Sequence, residues 1–167
     1  MILGFTQQIN NKPTHFVEKI WTGLIYKGIS SVEILKNEFQ KELVDSPYQK
    51  PKLHTIREDK TDRWKPGTMI DFFINVRKPN MFRFAPRVPV VSVQKIDINW
   101  CDNPYNDNLN PVVWIDDLIF YDKEFSTGED KMRQLAINDG FETTEDFFAY
   151  FNEDFKGKII HWTDLKY

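Results

Sequence analysis

Apolar residues recur at helical spacing in only part of this chain. Phe16, Val17, Ile20, Trp21, Leu24 and Ile25 share one face of a 3.6-residue period. They predict a helix over about 14–27, capped by Thr14 and stopped by Gly28. Ser30 and Glu33 have capping-box spacing for a second helix, with Val32, Leu35, Phe39 and Leu43 on its apolar face. Residues 132–137, ending at Asp139-Gly140, predict a third. A fourth is capped by Thr143 or Thr144 and carries Phe147, Phe148 and Phe151. The remaining apolar runs are short. Residues 2–5, 54–57, 69–76, 90–98 and 158–162 read as strands, the last just after Gly157. The alternation in 90–98 changes phase near Gln94, which predicts a bulge there. Residues 112–115 and 118–120, separated by Asp116-Asp117, read as a hairpin. Residues 45–51 and 77–89 read as loops.

The strands do not alternate with helices as a doubly wound α/β sheet requires. The order predicts one α+β domain over 1–167. Its expected form is a small, partly closed mixed barrel of five to seven mostly antiparallel strands, with helices packed on it.

Composition narrows the class. Fourteen Phe and five Trp in 167 residues are enough for a real core and too many for a disordered chain. No apolar run approaches the roughly 18 residues of a spanning helix, so no membrane partner is expected. The apolar start at 1–5 lacks a basic leader and gives way to Thr6-Gln7-Gln8, so a signal peptide is not expected. The single cysteine, Cys101, can form neither an internal disulfide nor a thiolate cluster, which fits a reducing cytoplasm. His15, His54 and His161 lie in unrelated segments without ligand spacing, so no metal and no other cofactor is expected.

Charge is unevenly placed. The net charge is −3, yet residues 50–95 hold 11 Lys/Arg against 4 acids, and residues 97–154 hold 15 acids against 3 Lys/Arg. A basic middle gives a local anion site on an acidic protein, or simply a solvated face. Within it, 77–89 carries Arg77, Lys78, Arg83 and Arg87 with no acid. Trp64 and Trp162 can stack on a base or pack in a core.

Three ordered segments carry a resemblance. They are Lys52-Leu53-His54-Thr55-Ile56-Arg57 with Trp64-Lys65-Pro66-Gly67, then Leu135 to Phe141 with Glu145-Asp146-Phe147-Phe148, then Lys158 to Trp162. In this order they resemble the ASCH family of the PUA-like superfold. The resemblance covers roughly 1–25 and 50–167, with about 28–50 as a helical insertion. It implies a PUA-like β-barrel and RNA or a nucleoside as the ligand. It also implies an amidohydrolase alternative, in which Lys52, Thr55 and Asp139 would deacylate an N4-acylcytidine-type nucleoside. The family carries Glu where Asp139 stands, and Asp reaches roughly 1–1.5 Å less far.

The chemistry of that alternative is demanding. Thr55 can act as nucleophile only if a base takes its proton. Lys52 can be that base only if burial or a neighbouring cation such as Arg57 lowers its pKa. Thr55 and Arg57 share a strand face, whereas Lys52 joins them only if it precedes the strand or sits in a bulge. The expected binding mode is a cleft bordered by Lys52, Thr55 and Arg57. Trp64, Arg77, Lys78, Arg83 and Arg87 are the further candidates for nucleic-acid or substrate contact.

Overall fold

The computed structural model describes residues 1–39, 50–102 and 109–167. Leu43, residues 45–49 and the part of the expected insertion beyond Phe39 lie outside the described residues, apart from Lys50. In chain order the elements are β1 (Ile2–Phe5), β2 (Gln8–Ile9), β3 (Lys12–Pro13), α1 (Phe16–Tyr26), α2 (Val32–Phe39), β4 (His54–Arg57), β5 (Met69–Ile74), β6 (Phe82–Arg83) and β7 (Val88–Pro89). They continue with β8 (Ser92–Asp102), β9 (Leu109–Ile115), β10 (Leu118–Asp122), α3 (Glu129–Asn138), α4 (Thr144–Tyr150) and β11 (Phe155–His161). The class is α+β. No helix among the described residues is long and apolar enough to cross a membrane.

A five-stranded antiparallel sheet, ordered β10-β9-β8-β11-β4, is the central layer. Alternation in β11 splits the core in two. Ile159 faces the cluster of Ile96, Ile98, Val113, Leu135 and Phe147, beneath α3 and α4. Ile160 faces the cluster of Phe5, Phe16, Trp21, Phe72 and Trp162, beneath α1 and the smaller sheet. That smaller sheet orders β1-β5-β6, with β7 also on β5; its β1–β5 pair is parallel.

The two sheets do not close into the expected barrel. On one side the chain joins them, because Val91 N donates to His161 O at 2.8 Å. On the other side β1 and β4 share no backbone ladder. Side chains fill the seam instead. The Arg57 guanidinium donates to Gly4 O at 2.9 Å and lies over the Phe5 ring at 5.4 Å. The open-edge amide of Ile56 donates to the Asp139 carboxylate at 3.2 Å. A buried strand edge needs such partners.

Several local expectations shift for physical reasons. The second helix is capped by Ser31, whose hydroxyl accepts Ile34 N at 3.3 Å, rather than by Ser30. Strand β8 pairs with β11 in unbroken register from Ser92 to Ile98, so no bulge sits at Gln94. The apparent phase change arises because β8 is covered on both faces there. Val93 packs on the first core, while Ser92 and Gln94 are buried on the second-core side. The register shift lies in β10, between Ile119 and Tyr121. The stretch at 77–89 contains β6 and β7 and is not all loop. Gly157 lies within β11, where a Cβ would meet Arg57 O at 2.5 Å. The hairpin is as expected: Asp116 and Asp117, at φ 49° and 67°, form its two-residue turn.

Candidate functional site

Lys52 lies two residues ahead of β4, so strand alternation does not fix its direction. Its amide donates to Lys19 O on α1 at 3.0 Å, and Leu53 N donates to Asn138 O on α3 at 2.8 Å. The segment is therefore clamped between two helices at the β1–β4 seam. The Lys52 ammonium donates to the Asp139 carbonyl and, at 2.7 Å, to the Asp139 carboxylate. It also lies 4.7 Å from the Phe16 ring centroid. Thr55 pairs with Ile160, on the sheet face that looks toward Phe5 and Phe16.

Lys52, Arg57 and Asp139 thus converge, with Thr55 buried on the same face of β4 as Arg57, but the four do not border an open cleft. Lys52 is 1% exposed, Thr55 2% and Asp139 4%. Arg57 alone of the four is half-buried. Gly140, at φ 94°, closes the site from above; a Cβ there would meet Phe16 at 2.8 Å and Lys52 Cδ at 3.1 Å.

Burial sets the electrostatics. It lowers the Lys52 pKa to about 8, against the opposing pull of the Asp139 carboxylate and with help from Arg57 and Lys19. Burial also pushes Asp139 up, while Lys52, Arg57 and the Ile56 amide hold it down. A lysine near neutral can give or take a proton, which an exposed lysine does not readily do.

A second polar group lies on the other face of β4. His54 Nε2 is 2.7 Å from the Tyr167 hydroxyl, which accepts from Asn138 Nδ2 at 2.9 Å. The other ring nitrogen of His54, Nδ1, lies 3.6 Å from Asp139 Oδ1, beyond hydrogen-bond distance. Burial, then His161 and Lys52, hold the His54 pKa well below its ordinary value. His161 pairs across the sheet with His54 and Ser92, and burial lowers its pKa to about 4.

The other expected contacts divide. Trp64 is buried in the first core, so its ring is not offered to a base. Arg87 is tied to Asp71 at 2.8 Å, toward the β1 end opposite Phe5. Arg77, Lys78 and Arg83 face solvent, together with Phe82, which is 44% exposed. Beside them a polar groove is lined by residues 4–8, Asn75, Val76 and Lys78.

Nothing in the local sequence pattern assigns Glu142, Asn138, Tyr167 or Phe82 to these surroundings, and in that pattern His54 is weighed only as a metal ligand. One signal existed: Lys19 occupies a core position of α1, three residues after Phe16 and one before Ile20. No group of three or more His, Cys, Asp or Glu among the described residues is arranged to hold a metal. A scan against protein-family models and searches of curated proteins and of solved structures each found no match to this chain.

Proposed function

We propose that this domain binds RNA or a modified nucleotide along the polar groove between residues 4–8 and the β5–β6 connection. The observation that carries the reading is the exposed Arg77, Lys78, Phe82 and Arg83 on the β5–β6 connection and β6, of which Lys78 lines that groove. Cations that track phosphates, interleaved with an exposed aromatic face, are the chemistry of single-strand binding. The resemblance to the ASCH family supports the same ligand class. Arg57 holds Gly4, one of the groove residues, through its bond to Gly4 O. Neither Lys52 nor Thr55 lines the groove. The test is fluorescence anisotropy with a labelled single-stranded RNA at two salt concentrations. Each lost phosphate contact flattens the log–log salt slope by about 0.7 for single strands. Replacing Arg77, Lys78 and Arg83 together by Ala should therefore flatten it by about 2. An unchanged slope, or no binding by the wild type at low salt, rejects the reading.

The amidohydrolase reading is favoured by one observation, the buried Lys52–Asp139 pair with Lys52 lowered to about 8. A base of that pKa can accept a hydroxyl proton near neutral pH, and Thr55 is the hydroxyl that the resemblance assigns to this role. Product formation from N4-acetylcytidine, absent in Lys52→Arg because Arg stays protonated, is the outcome that reading requires.

A further inference from the structure

A cleft of about 180 Å³ opens on the flank of the seam away from the basic loop. Its walls are apolar: Ile9, Pro13, Phe16, Phe141 and Ala149. Its charged groups come in two pairs. Lys19, with only 3% of its side chain exposed, donates to Gly140 O at 2.8 Å and to the Glu142 carboxylate. Lys12, 80% exposed, faces Asp146 at 3.7 Å across the cleft. Asn10 and Thr14 complete the lining.

The Lys19–Glu142 pair is asymmetric in a way that points to a ligand. Lys19 is fixed. It sits in the middle of α1 with its stem packed, and its backbone carbonyl holds Lys52 N. Glu142 is on the irregular segment between α3 and α4, and its side chain is 47% exposed. Moving Glu142 into water costs little, because exposed carboxylates keep their hydration. Moving Lys19 into water requires breaking the packing of α1. A buried cation held by a half-exposed carboxylate is a site that another carboxylate can take over. A volume of this order accepts a benzene-sized ring, and apolar walls with a few convergent polar groups are the usual make-up of a small-molecule site.

We propose that this cleft binds a small planar molecule bearing one carboxylate, with its ring packed against the apolar wall that Phe16 and Phe141 form together and its carboxylate on Lys19 in place of Glu142. The proposal is independent of the RNA reading, since no residue of the basic loop lines this cleft. It also gives Gly140 a second role. The residue that leaves room for Phe16 and Lys52 is part of the floor on which the ring rests.

The test is an NMR shift titration of the labelled protein with benzoate, with benzylammonium as the oppositely charged control. Glu142→Gln removes the resident competitor without removing Lys19. It should tighten benzoate about fivefold, the equivalent of roughly 1 kcal/mol, with the largest shifts at residues lining the cleft. Lys19→Met should lose benzoate binding while circular dichroism reports a folded chain. If Lys19→Met does not fold, Glu142→Gln alone decides. Unchanged or weaker benzoate binding in Glu142→Gln overturns the proposal. So does stronger binding of benzylammonium than of benzoate, or absence of cleft shifts in both proteins at millimolar benzoate.

Discussion

Replacing Asp139 by Ala tests the seam most directly, because one carboxylate there serves two buried groups. It takes the Lys52 ammonium at 2.7 Å and the Ile56 edge amide at 3.2 Å. With the carboxylate gone, Lys52 is left with the Asp139 carbonyl as its acceptor, and Ile56 N loses its partner. Breaking a buried ion pair from one side costs about 3–5 kcal/mol. An orphaned buried amide costs about 1–3 kcal/mol, partly within the same total. Asp139→Ala should therefore lose at least about 3 kcal/mol in urea unfolding at pH 7. The pair itself is worth far less than that loss. Burial lowers Lys52 from 10.5 to about 8, so keeping it charged at pH 7 costs about 3 kcal/mol at 1.36 kcal/mol per unit. Lys52→Met with Asp139→Asn keeps an acceptor for Ile56 and removes both charges. That double variant should come within about 1 kcal/mol of wild type, as neutral replacements of buried pairs often do. The pH profile gives an independent check. The folded pKa of Lys52 lies below the unfolded one, so the unfolded chain binds more protons between about 8 and 10.5. The Lys52 contribution is full above 10.5 and is lost as pH falls through 8. Wild type should gain stability across that window, and Lys52→Met should not. A loss under about 1 kcal/mol in Asp139→Ala, or strictly additive losses in the double variant, would refute the buried pair.

The remaining predictions concern other parts of the fold. His161 is lowered from 6.5 to about 4, so its contribution is full above 6.5 and is lost as pH falls toward 4; about 3 kcal/mol is at stake, and His161→Gln should flatten the acid limb of urea midpoints. Gly140→Ala should cost about 1–3 kcal/mol in thermal unfolding, since it adds strain at φ 94° and a Cβ 2.8 Å from Phe16. Asp117→Gly should raise stability by up to about 1 kcal/mol by relieving φ 67° in the hairpin turn. Asp116→Gly should lower it, because the Asp116 carboxylate accepts from Lys95 N and Gln94 Nε2, both at 2.9 Å.

Local chemistry made much of the fold legible from sequence. The apolar stripe of α1, the bounds of β4, the Asp116-Asp117 turn and the Thr143 cap each depend on residues within a few positions of one another. Periodicity and turn preference act at that range. The site was legible only in part. Lys52, Thr55, Arg57 and Asp139 could be named, but whether they lie open or enclosed depends on Phe16 and Gly140 packing over them. Lys52 meets Asp139 across 87 positions, and His54 meets Tyr167 across 113. No local preference encodes those distances. The fate of Trp64 shows the same limit, because an aromatic ring serves a core and a binding face equally well until packing chooses. Tertiary structure also decided that the sheets stay unclosed. The open edge of β4 is satisfied by the carboxylate of Asp139 and lies beside the Arg57 bond to Gly4, so no strand pairing is needed to bury it.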